Sequence, residues 1–253
     1  KVTSISNELY AEGDFTFTGT AEAKGTNQGF YPMEVKAEDF TNNNANFSNV
    51  KFVVVDGGLT IEAQSIDPGD DPDNPDPSYL GVEVGQLADV PYNGSDQSLV
   101  PSVTDAEGNE LVEGADYAVS YSTEDRTNVT GEIKVTITGQ GNYSGEVERT
   151  YQIIPAELTV VTESASKVFD GQALTAPGTI EGLVNGETAS VATASITAVG
   201  SKENVGEIVW DGTAVASNYT VASEDFGTLI VYPQSIDPTD PVLPDPDDPK
   251  YPD

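Results

Sequence analysis

The sequence predicts an all-β protein built of small modules of stacked antiparallel sheets, and three observations predict it. Apolar residues fall in short alternating runs of Val, Ile, Tyr and Thr, the period of a strand with one buried face. Clusters of Gly, Asn, Asp and Pro separate these runs, and no window of about 11 residues keeps a helical period. Two segments rich in Asp and Pro stand apart from the rest and read as linkers.

Composition excludes several classes of chemistry. The chain has 253 residues, 43 acidic against 10 basic, and a formal charge of −33. It has no Cys and no His, so a disulfide framework, a thiolate zinc site, a cysteine nucleophile and an imidazole proton shuttle are all excluded. So strong a negative charge repels phosphate, which makes nucleic acid and anionic membranes poor partners. No apolar run approaches the roughly 18–20 residues of a membrane span, and no basic-plus-apolar leader opens the chain. The first residue is Lys1, which reads as a mature form or an excised piece.

Residues 1–63 form the first expected module. Within it, 18–29 resemble 194–206, and Asn46-Phe47 followed by Gly58-Leu59-Thr60-Ile61 resembles Asn218-Tyr219 followed by Thr228-Leu229-Ile230-Val231. Residues 1–63 therefore read as the later two-thirds of the unit at 157–232. The opening of that unit, Lys167-Val168-Phe169-Asp170-Gly171, has no counterpart in them. A module short of its opening strands exposes an edge and part of its core, so 1–63 is expected to be less stable or to be completed by a strand from another chain.

The segment 64–78, QSIDPGDDPDNPDPS, is the first linker. Each Asp-Pro pair drives its first residue into extended geometry, and proline lacks the N–H that a helix or central strand needs. Mutually repelling carboxylates stretch it further, to about 45 Å at ~3.1 Å per residue. The same five letters, Gln-Ser-Ile-Asp-Pro, reopen the segment 233–253, a second linker or tail.

Residues 79–156 show the clearest strands. In 116–122, Tyr117, Val119 and Tyr121 share a face. In 132–138, Ile133, Val135 and Ile137 alternate with Lys134 and Thr136; in 146–154, Val147, Tyr151 and Ile153 do the same. Turn signals stand at Glu107-Gly108-Asn109 and Gly139-Gln140-Gly141-Asn142. Roughly seven strands fit in this length, which is an immunoglobulin-like sandwich without its disulfide. Residues 157–232 complete a third module of the same class.

Two resemblances follow from residues in these modules. Pro91-Tyr92-Asn93-Gly94, Pro101, the run 114–121, the run 136–145 and Tyr151-Gln152-Ile153 resemble one repeat of long surface proteins of Gram-positive gut and oral bacteria. Residues 157–232 resemble the MBG-type module through the run 166–174, Gly182-Leu183-Val184, Val199-Gly200-Ser201, Asn218-Tyr219-Thr220-Val221 and Gly227-Thr228-Leu229. Residues 1–63 resemble a truncated member of the same group. The resemblance implies a tandem array of β modules in an exported, wall-attached protein, with no catalytic residue and no known ligand. A wall-sorting signal, Leu-Pro-x-Thr-Gly, is not matched by Leu243-Pro244-Asp245-Pro246-Asp247, so the anchor is expected outside this chain.

Candidate sites are few. Asp67, Asp70, Asp71, Asp73, Asn74 and Asp76 offer hard oxygen donors, and of these Asp70, Asp71, Asp73 and Asp76 are the calcium candidates. Against calcium stand the prolines at 68, 72, 75 and 77, which oppose the tight turn that would converge the donors. No other cofactor is expected. Tyr92-Asn93-Gly94 and Phe169-Asp170-Gly171 read as an aromatic ring filling a module end beside a tight turn, with a sugar platform as the alternative. Trp210, on the Ile208 face, reads as a core plug or sheet cover, and Tyr117, Tyr121, Tyr143 and Tyr151 as core residues with a hydrogen-bonding tip. With 43 acids some carboxylates must lie close by chance, so pairing alone does not indicate an acid–base enzyme. No lysine sits on an apolar face as a Lys–Asn isopeptide bond would require.

The sequence thus predicts a non-catalytic extracellular stalk or spacer that presents a distal adhesive region of a cell-surface protein. The alternative is an adhesin module that binds a host glycan or extracellular protein through sandwich-end loops such as 42–46 and 93–98, both rich in polar side chains.

Overall fold

The structure is a computed structural model and describes residues 2–69 and 76–236. It is all-β: among the described residues the helical elements are three single-turn 3₁₀ segments, Glu12–Asp14, Ala37–Asp39 and Ala216–Asn218. No helix there is long and apolar enough to cross a membrane. The tail from 237 on, with Leu243 to Asp247, lies outside the described residues.

The longest sheet has four strands in the order Val90–Pro91, Glu146–Ile154, Glu132–Gly139 and Tyr117–Tyr121. Its three long strands match the expected spans within a residue. Strict alternation explains this: Ile133, Val135 and Ile137 are fully buried while Glu132 and Lys134 face water. Chain contacts divide the molecule into two compact units, residues 1–85, 101–120 and 136–148 in one, and 86–100, 121–135 and 149–253 in the other.

In the first unit, Phe15–Phe17 pairs antiparallel with Phe40–Asn42, and Gly29–Pro32 with Gly58–Ile61. Phe15, Phe17, Phe40 and Phe52 form one aromatic cluster, with centroid separations of 4.9–5.8 Å. None of these rings is fully buried; the first buried residues of the chain are Ser65 and Ile66. The fuller core of this unit holds Ile66, Val82, Val84, Val103, Tyr117, Ile137 and Val147.

The spacer reading of 64–78 does not extend to its first residues. Gln64–Ser65 is a strand, parallel to Tyr143–Ser144. The Gln64 N–H donates to Asn142 O and the Ile66 N–H to Ser144 O, each at 2.8 Å. These residues precede the first proline, so they keep the donors a ladder needs. Ile66, 1% exposed, plugs the core.

In the second unit, Ala156–Thr162 lies between Gly178–Glu181, antiparallel to it, and Tyr219–Asp225, parallel to it. Thr228–Tyr232 lies between Ala165–Val168, parallel, and Gly200–Glu203, antiparallel. Leu158 and Val160 on the first of these sheets, and Leu229 and Val231 on the second, are all essentially inaccessible. Two one-sided sheets that bury their inner faces in this way are the pattern of a sandwich. Only Pro155 separates Glu146–Ile154 from Ala156–Thr162.

Candidate functional site

A set of polar and aromatic side chains in the second unit surrounds Glu187, at the tip of a tight turn. Asn185 and Gly186 both have positive φ, 51° and 71°, the geometry that Asn-Gly dipeptides favour in two-residue hairpin loops. The Glu187 N–H closes the turn onto Val184 O at 2.9 Å. Its carboxylate then accepts from two phenols. The Tyr92 hydroxyl donates to Oε1, and the Tyr219 hydroxyl donates to Oε2 at 2.8 Å. The two rings meet edge to face at 5.4 Å, and Trp210 stacks on the outer face of Tyr219 at 5.9 Å.

Around this centre the backbone is tied as well. Asn218, completely buried, accepts the Val129 N–H at 3.0 Å through Oδ1 and donates to Asn128 Oδ1 at 2.8 Å through Nδ2. Asn185 Nδ2 donates to Gly94 O at 2.8 Å, and the Tyr92 N–H donates to Ile154 O at 2.8 Å. The residues 92–94 and 128–129, from the stretch 79–156, are thereby fastened to 185–187 and 218–219, from the stretch 157–232.

Electrostatics agree with a fastening role. Burial, and then the hydrogen bond and negative charge of Glu187, push the Tyr219 phenol up to about 12. The same causes raise Tyr92 above the ordinary tyrosine value. Both phenols therefore stay protonated donors, and each carboxylate oxygen has its partner. The cluster holds one carboxylate and no side-chain amine or thiol, so its chemistry is that of a neutral-donor clamp on an anion.

The calcium candidates fall elsewhere. Asp70, Asp71 and Asp73 lie outside the described residues. Asp76 is described, and its Oδ1 accepts the Ser78 N–H at 2.8 Å and the Ser78 hydroxyl at 2.6 Å, which hold its carboxyl below the usual range. Among the described residues no three acidic side chains converge as a metal site would require.

The other sequence-singled residues sort clearly. Tyr92 is buried, with Asn93 Oδ1 accepting the Ser95 N–H at 2.8 Å and Gly94 at φ 72°. Phe169, expected to fill a module end, is instead exposed above a similar turn, where Asp170 accepts from Lys167 Nζ at 2.6 Å and from the Gln172 N–H at 2.9 Å. Trp210 lies just past its strand and covers Tyr219 instead of plugging a core. Tyr117 and Tyr151 are core; Tyr121 lies beneath Arg126, whose guanidinium carbon is 4.7 Å from the ring centroid. In the loop 42–46 two of the amides are spent internally: Asn42 Nδ2 donates to Phe47 O at 2.9 Å and Asn44 Nδ2 to Asp14 Oδ1 at 2.8 Å.

Nothing in the sequence singles out Glu187, Asn128 or Asn185, and Asn218 enters it only as a motif residue beside Tyr219. One acid among 43 carries no signal of its own. Two signals were nonetheless present: the Asn185-Gly186 dipeptide that aims Glu187, and a single residue between two strands, too short to separate what they carry.

No curated protein matches the chain. Residues 158–229, the Glu187 turn and Tyr219 among them, match the family model described as MBG domain (YGX type), the same group that the motifs of 157–232 resemble.

Proposed function

We propose that the chain is a non-catalytic extracellular stalk or spacer of a bacterial surface protein, a tandem of small β-sandwich modules that presents a distal adhesive region. One observation carries this reading most: the Tyr92–Glu187–Tyr219 clamp, with Asn218 beneath it, ties residues on either side of a one-residue connection. A joint stiffened by buried, directional hydrogen bonds suits a part that must hold distance and direction. The family matched at 158–229 is one of surface-protein repeats, which supports the same reading. High negative charge keeps neighbouring copies apart and in solution.

The module boundaries 1–63, 79–156 and 157–232, with linkers at 64–78 and 233–253, belong to this proposal, as does the wall-attached location with its anchor outside the chain. The test is adhesion under flow by cells that display an adhesive tip on this chain. Capture is expected to survive substitution of exposed loops and to fall when the clamp is cut by Glu187→Ala. Capture that depends on one loop and ignores the clamp would overturn the stalk reading.

A second reading, binding of a host glycan or extracellular protein, is favoured by one feature of the first unit. An open groove is lined by the half-buried rings of Phe40, Phe47 and Phe52 together with Asn42, Asn49 and Lys51. A glycan array probed with the full chain decides it: a specific signal lost on Phe52→Ala would move the assignment to this class.

A further inference from the structure

The pentapeptide Gln-Ser-Ile-Asp-Pro occurs twice, at 64–68 and 234–238. Spacer chemistry accounts for Asp and Pro but not for Gln-Ser-Ile, and an isoleucine is the residue a solvated tether would shed. The first copy shows what the letters do. Gln64 and Ser65 pair in parallel with Tyr143 and Ser144, and Ile66 is buried. The Ser65 hydroxyl donates to Asp67 O at 2.9 Å and accepts the Asp67 N–H at 3.1 Å, turning the chain away from the sheet. Asp67 Oδ1 accepts the Gly69 N–H at 2.9 Å. Gly145, at φ 88°, leaves the space: a Cβ there would stand 3.1 Å from the Ser65 hydroxyl oxygen.

The second copy stands at the same offset from an equivalent strand. Gly29–Pro32 pairs with Gly58–Ile61 as Gly200–Glu203 pairs with 228–231 of Thr228–Tyr232, so that Ile61 corresponds to Val231. Gln64 follows Ile61 by three residues, and Gln234 follows Val231 by three. Yet Ile236, the counterpart of Ile66, is 96% exposed, the most exposed large hydrophobic residue among those described.

We propose that Gln234-Ser235-Ile236 is a docking strand for a second β module of the 79–156 kind. It pairs in parallel with that module's equivalent of Tyr143–Ser144 and seats Ile236 as Ile66 is seated here. The partner is recognised by an edge that offers the Asn142 and Ser144 carbonyls, followed by a glycine at the position of Gly145. In this chain that edge is already filled by residues 64–66. The inference does not rest on the stalk reading, since a docking strand acts alike in any tandem array.

The full chain tests it by hydrogen exchange with sedimentation. In the unaltered protein the Ile236 amide exchanges as an open chain does. Ile66→Asp vacates the edge, and the Ile236 strand of another copy then takes it: sedimentation shows association, and exchange at Ile236 slows by at least about tenfold. The Ile66→Asp, Ile236→Asp double variant loses that protection. An Ile236 amide left unprotected in Ile66→Asp, while the amides of 133–137 stay protected, overturns the proposal. If Ile66→Asp does not fold, Gln64→Pro, which removes the N–H that bonds Asn142 O and so weakens the hold of 64–66 on the edge, is read in the same way.

Discussion

Residues 1–63 and 157–232 share a local plan and differ in what covers it. Each has a 3₁₀ turn that runs directly into a strand, Ala37–Asp39 into Phe40–Asn42 and Ala216–Asn218 into Tyr219–Asp225. Each pairs a last strand with an earlier one in the same antiparallel register, opening at a glycine of large positive φ, Gly29 at 152° and Gly200 at 144°. The later region has eight strands to the earlier region's four, and two of those it adds supply the cover. Ala156–Thr162 lies against Tyr219–Asp225, and Ala165–Val168 covers the second edge of Thr228–Tyr232. Among the described residues Gly58–Ile61 has only Gly29–Pro32 beside it. The consequence is visible at one position: Leu229 is fully buried, and Leu59, its counterpart in register, is 39% exposed. Local sequence builds the strand, and its neighbours decide whether the strand has a core.

The largest expected effect breaks this comparison directly. Leu229→Ala should cost about 2–5 kcal/mol through lost burial and an unfilled cavity. Leu59→Ala should stay below about 1 kcal/mol, since little is buried to lose. Denaturant melts of both variants measure the difference, and equal costs would mean that 1–63 acquires a core from elsewhere.

Next comes the buried amide that the later region uses to close its end. Asn204 Nδ2 donates to Glu163 O at 2.9 Å and Ala176 O at 3.2 Å, and Thr162 Oγ1 donates to Asn204 O at 2.6 Å. Asn204→Ala removes the donor from one buried carbonyl, Ala176 O, and one part-buried carbonyl, Glu163 O, and should cost about 1–3 kcal/mol. Residues 1–63 hold no fully buried amide, so no single amide substitution there should match it.

A pH test follows from the clamp. Folding raises the Tyr219 phenol to about 12, so its contribution is fully present below the ordinary tyrosine value of 10.0. It is lost as pH rises through about 12, because the unfolded chain ionises first. Melting temperature of the second unit should therefore fall across that window. Tyr219→Phe should flatten part of the fall, with tyrosinate absorbance reporting the ionisation.

The smallest effect concerns charge. With −33 on the chain, raising ionic strength from low to physiological should increase stability by a few tenths of a kcal/mol through screening. Melts at two salt concentrations check it.

Much of this architecture was legible in the residues. The strand Glu132–Gly139 could be read because Ile133, Val135 and Ile137 alternate with polar residues, and burial follows that alternation from Glu132 to Thr138. The turns at Gly108 and Gly141 could be read because each requires positive φ, 83° and 60°. The docking of Gln64-Ser65-Ile66 could not, since three residues carry no period. Nor could the clamp, whose members stand at 92, 187 and 219 and meet only through the chain's path.

Taken alone, the sequence determined the all-β class, the three long strands between 116 and 154, and the glycine turns at Gly108 and Gly141. Those properties are local: alternation, proline geometry and glycine φ act over a few neighbouring residues. Tertiary structure alone decided that Ile66 is buried and Ile236 exposed, which of two similar strands has a core, and which of the many acids is gripped by two phenols. Burial and partner choice depend on edges and cavities supplied by residues far along the chain, and no short window of sequence contains them.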